Sequence, residues 1–361
     1  MQLSQLSHTQ YQRVGLFQNG SYPNNSLGES EKLKFSNYGV KLGGTYKIIS
    51  RNLLNFNSAY YTRAPNLRNS FSNSRMNNSV VQNLDSENLS SVDASYIFRT
   101  PQFRTRITGY FSEIQDATEI SFYYADGLSG LGRNSTTAFV QEVLTGIDRR
   151  HFGLELGLDF QVTSTIKIKS AAAIGQHTYS NDPNLYLTSD SFDAAVDYGT
   201  SSLKNYFLAG GPQRAAQIGF EYRDPDYWWF GTTGNYFSHA FSDISPLTRT
   251  SNFLTDADGL PLVDYNEEEA RHLLRQEQFD DYFVVNIIGG KSWRIDSYYL
   301  GFFVSLNNVF DVVYKTGGFE QARNANFRTL KQDKNRDQPI FGNKYWYGTG
   351  ATYYANIYVR F

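Results

Sequence analysis

Residues 350–361 read GATYYANIYVRF. Ala351, Tyr353, Ala355, Ile357, Val359 and Phe361 fall on one parity, and Thr352, Tyr354, Asn356, Tyr358 and Arg360 on the other. A period of two places alternate side chains on opposite faces of a β-strand. An apolar face opposite a polar one, carried up to an aromatic residue, suits a stave of an outer-membrane β-barrel, with lipid on one side and a wet lumen on the other. A half-buried strand of a soluble sandwich alternates in the same way, so the choice rests on the rest of the chain.

Working outward, the alternation recurs. Tyr38, Val40, Leu42, Tyr46 and Ile48 interleave with Lys41, Thr45 and Lys47, and Phe103, Thr105, Ile107 and Phe111 with Arg104, Arg106 and Tyr110. The cleanest case is Phe152, Leu154, Leu156, Leu158 and Phe160 against His151, Gly153, Glu155, Gly157 and Asp159. The links between these segments take turns in length. Short ones fall at 50–52, 100–102, 162–164, 223–226 and 291–296, and long polar ones at 19–31, 63–83, 126–136, 180–201, 242–276 and 311–345. Tight turns on one side and long loops on the other are the mark of an up-and-down membrane barrel, whereas a sandwich mixes its connections. About 12 strands are expected, near 7–18, 34–49, 53–62, 84–99, 103–123, 138–161, 165–179, 203–222, 227–241, 277–290, 297–309 and 348–361.

Composition agrees and narrows the function. The 361 residues hold 27 Tyr and 27 Phe at a mean hydropathy of −0.48, so the chain is rich in rings without long apolar runs. Barrel strands conceal their apolar face from such averages. Clusters at Tyr227, Trp228, Trp229 and Trp293, and at Tyr345, Trp346 and Tyr347, are expected at the two membrane interfaces. Cysteine is absent, which removes disulfide frameworks, thiolate metal sites and cysteine nucleophiles. A net charge of −2 gives no basic footprint for nucleic acid.

Several stretches resemble TonB-dependent receptors of Bacteroidota, the group with a carboxypeptidase-like regulatory N-terminal extension. NFNSAYYTRAPNLRNSF at 55–71 is similar to a family strand entering a Y-x-x-R/K-A-P loop. The segment from Leu84 to Thr118 resembles the following hairpin, although Val92 to Ser95 depart from its Glu-Leu-Gly core. RHFGLEL at 150–156 looks like an H-x-G-I/L-E-L hairpin, LNNVFDVVY at 306–314 resembles N-N-L/I-F-D-x-x-Y, and the ending is similar to a terminal R-F. The resemblance spans residues 1–361 as one partial barrel domain. It implies the C-terminal half of a barrel of roughly 22 strands, lacking here the plug and TonB box, and MQLSQLSHTQYQR shows no secretory signal. It further implies an integral outer-membrane receptor for active uptake of a bulky nutrient: siderophore-iron, cobalamin, a glycan or a peptide. Its partners would be outer-membrane lipid and lipopolysaccharide, the TonB complex through a plug outside this chain, and a surface lipoprotein.

No catalytic, cofactor or metal set is expected. His8, His151, His177, His239 and His272 lack metal spacing in the sequence, and GxSxG and HExxH are absent. The NEEEA run at 266–270 reads as a solvated loop face or short helix ahead of a calcium or ferric contact. Ligand contacts are expected on the loops and upper lumen, with Tyr61, Arg63, Tyr282, Tyr345 and Trp346 as candidates. A self-contained passive porin of about 12 strands, and an outer-membrane adhesin or anchored enzyme, remain as alternatives.

Overall fold

The computed structural model describes residues 2–13, 26–128, 137–192 and 194–361. Twelve staves follow in chain order: β1 (Gln2–His8), β2 (Leu33–Ile49), β3 (Asn52–Arg63), β4 (Glu87–Arg99), β5 (Phe103–Asp126), β6 (Thr137–Gln161), β7 (Ile166–Tyr179), β8 (Arg214–Arg223), β9 (Trp228–Ser238), β10 (Tyr282–Ile295), β11 (Tyr298–Asn307) and β12 (Thr352–Arg360). Each pairs antiparallel with its sequence neighbour. The expected alternation of link lengths is present, from a two-residue turn between β2 and β3 to the 43-residue and 44-residue links 239–281 and 308–351. Among the described residues β1 and β12 are each paired along one edge only.

Register confirms the assignment of faces. Asn57 donates to Asp93 at 2.9 Å, Ser95 and Thr108 lie 3.0 Å apart with Arg106 upon both, and Lys167 meets Asp159 at 2.8 Å. These polar ladders all occupy one face, since directly paired residues point the same way. The other face leaves Leu42, Leu154 and Ile218 each more than 60% exposed, an apolar surface that hydrocarbon would cover.

Buried apolar packing therefore lies elsewhere, in the loops. Ladder shifts on either side of Ala117, with Asp116 at φ 60° and Gly146 at φ 69°, interrupt β5 and β6. Below this bulge, residues 103–114 and 149–161 have the length of a tilted bilayer crossing. Above it the hairpin rises as an extension that pairs with an added strand, Asn184–Thr188, itself paired with Val196–Thr200. Val140, Ile147, Leu185, Leu187, Leu203 and Leu247 are wholly buried there. A second cluster joins Phe253, Leu262 and Leu273 to Phe327 and Leu330, packing α1 (Glu267–Leu273) near α2 (Phe327–Lys334). Four long links, 64–86, 180–213, 239–281 and 308–351, thus pack with the β5–β6 extension as a cap.

Three expected boundaries shift. The strand placed at 7–18 is β1 at Gln2–His8, with Tyr11–Gln12 paired to Gly28–Glu29; residues 14–25 lie outside the described set. The strand expected from 203 begins at Arg214, because Gly210, Gly211 (φ 133°) and Pro212 break the extended run and Leu203 turns into the cap. β10 starts at Tyr282, since Phe279 is buried with its N–H on Ala240 O, and it continues to Ile295. The link at 291–296 contracts to a turn at Asp296 and Ser297, where Asp296 takes the φ of 54° such a turn needs.

Candidate functional site

The cap and the top of the sheet enclose a polar cavity of about 350 Å³. Its wall carries Glu119 and Glu142 from the β5–β6 extension, Asp243 from 239–281, Glu320 and Arg323 from 308–351, and Arg68 from the link after β3. Two carboxylates are engaged from behind. Glu119 pairs with Arg149 Nη2 at 2.5 Å. Glu320 binds Arg249, whose Nη2 also donates to Leu274 O at 2.8 Å while Nη1 donates to Thr248 Oγ1 at 2.7 Å. Glu320 further accepts the Ser245 N–H at 2.9 Å.

Glu142 and Asp243 are poised differently. Glu142 accepts from Ser121 Oγ and Tyr123 OH, both at 2.9 Å, yet burial still pushes its carboxyl above the usual range. Asp243 is held by backbone, with its N–H on Gly318 O and its carbonyl accepting from Glu320 N. Its carboxylate makes no salt bridge among the described residues, and burial followed by repulsion from Glu119 raises it to about 6 against the pull of Arg323. The side chain keeps considerable open surface, but that surface faces the cavity and protein surrounds it, which is why desolvation dominates. The Arg323 guanidinium lies over the rings of Phe319 (4.9 Å) and Tyr123 (5.2 Å). The cavity therefore offers both signs of charge beside aromatic faces.

The five residues expected to contact ligand divide into three groups. Tyr345 and Trp346 share the short strand Lys344–Tyr347, paired with Lys315–Phe319. The Tyr345 hydroxyl donates to Glu277 Oε2 at 2.8 Å, and Lys315 Nζ sits 3.6 Å above its ring while meeting Glu277 Oε1 at 2.9 Å. Burial would raise the Glu277 carboxyl, but the bonds from Lys315, Asn343 and Tyr345 outweigh it and hold it below the usual range. Trp346 points the other way, beside Phe319 and 57% exposed. Tyr282 stacks on Tyr314 at 4.2 Å. Tyr61 and Arg63 stand on β3, where Lys41 lies over Tyr61 at 5.6 Å and Arg63 Nε donates to Glu87 at 3.0 Å. None of the five lines the charged cavity. The acidic run at 266–270 forms the start of α1, with Asn266 Oδ1 capping Glu269 N at 2.9 Å and Glu269 paired to Lys331 at 2.7 Å.

The cavity residues were not singled out in the sequence. Their partners come from links far apart in the chain, and only the folding of the cap brings them together.

No family model and no curated protein matches the chain. Solved structures do. The copper transporter OprC superposes with a TM-score of 0.53 at 15% identity, covering 91% of this chain and 40% of that one. The siderophore receptor PiuA from Acinetobacter baumannii gives 0.52 at 12% identity, over 92% and 37%. The ferric citrate transporter FecA in its unliganded form gives 0.52 at 11%, over 92% and 40%. The chain shares its fold with part of the outer-membrane β-barrels of these structures and spans about two fifths of their length.

Proposed function

We propose that the chain is part of a TonB-dependent outer-membrane receptor of the Bacteroidota type, importing a bulky nutrient captured by its long loops. The observation carrying this reading is the cap: the links 64–86, 180–213, 239–281 and 308–351 pack together over one end of the sheet, and three of them line a charged cavity there. A surface adhesin needs no such enclosure. Among the described residues the outer edges of β1 and β12 are unpaired, which favours the receptor over a self-closed porin, because unpaired strand edges are not tolerated in hydrocarbon and further staves would cover them. A barrel of roughly 22 strands would supply them.

In this reading a plug outside the present sequence fills the lumen and transmits the pull of TonB. Lipid and lipopolysaccharide surround the apolar face, and a surface lipoprotein is a partner at the cap. Siderophore-iron, cobalamin, a glycan or a peptide are the ligand classes, with Trp346, Tyr345, Tyr282, Tyr61 and Arg63 as contacts on the loops and upper lumen. The test is nutrient uptake by the protein in its native outer membrane, with and without TonB. Loss of uptake without TonB is expected. A small-solute leak that ignores TonB would overturn the reading in favour of a porin.

A further inference from the structure

Two of the five histidines form a pair that strand register alone creates. His151 on β6 and His177 on β7 are directly opposite across the ladder, on the polar face, with their Nδ1 atoms 3.0 Å apart. The backbone beneath is pinned, as the Gln213 side chain accepts from His177 N and donates to His177 O, both at 3.0 Å. Tyr110 stacks on His177 at 6.5 Å and an interplanar angle of 14°. Gly175 clears the space for both rings, since a Cβ there would lie 2.8 Å from the Tyr110 hydroxyl and 2.9 Å from His177 Nε2. Neither Nε2 has a hydrogen-bond partner among the described residues.

We infer that His151 and His177 form a two-nitrogen site for Cu(II), bound through both Nδ1 atoms in adjacent positions. With metal–nitrogen bonds of about 2.05 Å, a separation near that observed gives an N–metal–N angle of about 95°. That is close to the angle between neighbouring ligands of a square-planar centre, reached once the rings turn from their mutual hydrogen bond to face one ion. Copper also heads the affinity order for imidazole among these divalent ions. Binding requires both rings in the Nε2–H form. The proton now shared between the Nδ1 atoms moves to Nε2 of its own ring, so a neutral pair takes up the metal with no net proton release. No third His, Cys, Asp or Glu completes the set among the described residues. Two positions of the square stay open to water or to donors that the copper brings with it.

The site is tested on the untagged protein extracted in detergent from its native outer membrane, with glycine-buffered copper sulfate as the probe and electron paramagnetic resonance as the readout. One axial Cu(II) centre per chain with two equatorial imidazole nitrogens is expected. His151→Asn and His177→Asn should each weaken its affinity roughly tenfold or more, while His239→Asn and His272→Asn leave it unchanged. The nitrogen count in the unsubstituted protein stands even if a variant fails to fold. A centre with no imidazole nitrogens or with one, or copper binding indifferent to both substitutions, overturns the proposal. This experiment measures no transport, so its failure would leave the receptor reading intact, and the reverse holds too.

Discussion

Arg249 and Glu320 come from different long links and meet in the interior of the cap, the Arg249 side chain only 2% exposed and the Glu320 side chain 18%. Every strong donor direction of Arg249 but one is used: Ser245 O, Thr248 Oγ1, Leu274 O and both Glu320 oxygens accept from it, and Nε alone lacks a partner. The guanidinium also faces the Tyr206 ring at 5.1 Å. One side chain thereby ties residues 239–281 to 308–351 at the wall of the cavity.

Removing one partner leaves the other buried and uncompensated, which costs about 3–5 kcal/mol. Arg249→Ala should accordingly loosen the cap, seen as faster tryptic cleavage at Arg275 and Arg336 while the strands stay protected. The double change Arg249→Met with Glu320→Leu should lose much less, because neither charge is then stranded. Equal cleavage of Arg249→Ala and the parent protein would refute the tie.

Asp243 gives the cap a pH dependence of defined sign. Its folded value of about 6 stands above the ordinary 3.8, so between those limits the folded state binds the proton more tightly. Stability contributed by this group is therefore greatest below about 3.8 and declines as pH rises through about 6. Asp243→Asn should stabilise the cap at pH 7.5, by about 1 kcal/mol after discounting for the surface Asp243 keeps open, with little effect at pH 4. Thermal unfolding of the two proteins at both pH values decides it, and an equal gain at both would show that charge is not the cause.

The two neighbouring ring candidates should separate stability from recognition. Trp346 is mostly exposed, so Trp346→Ala should change stability by no more than about 0.5 kcal/mol while reducing ligand capture. Tyr345 is fastened to Glu277 and Lys315, and Tyr345→Phe should cost about 1.5–3 kcal/mol as a hydrogen bond to a charged group is lost. Unfolding and uptake measured on the same variants would expose the opposite pattern if the assignments were exchanged.

How far the sequence could be read follows from where the physical information is stored. Staves such as 152–160 carry their own fold, because alternation is local and each face has a different solvent. The partner of His151 was not legible in the same way: a symmetric count across the 162–165 turn pairs it with Gln176, and only the one-residue offset of the ladder at that turn brings His177 opposite. Asp243, Arg249 and Glu320 had no such signal. Their roles depend on long links packing together, and a polar loop gives no periodicity from which to infer that packing. Leu203 shows the same limit, as an apolar residue near a strand that joins the cap instead.

Face assignment can be tested by two adjacent residues that differ only in parity. Leu156 lies opposite Ile107 and Ala172 on the apolar face, in the middle of a bilayer-length segment, and is 38% exposed. Gly157 lies opposite Arg106 and Ala171 on the polar face, and a Cβ there meets nothing within 4 Å. Leu156→Arg must bring its guanidinium into hydrocarbon, at a cost of about 2–4 kcal/mol at mid-membrane. Gly157→Arg enters open space on the polar face beside Glu155, and should leave stability in native outer-membrane vesicles close to that of the parent. Unfolding by guanidinium chloride in vesicles measures both. The reverse order of penalties would mean that the register is displaced by one residue, turning every side chain of β6 to the other face.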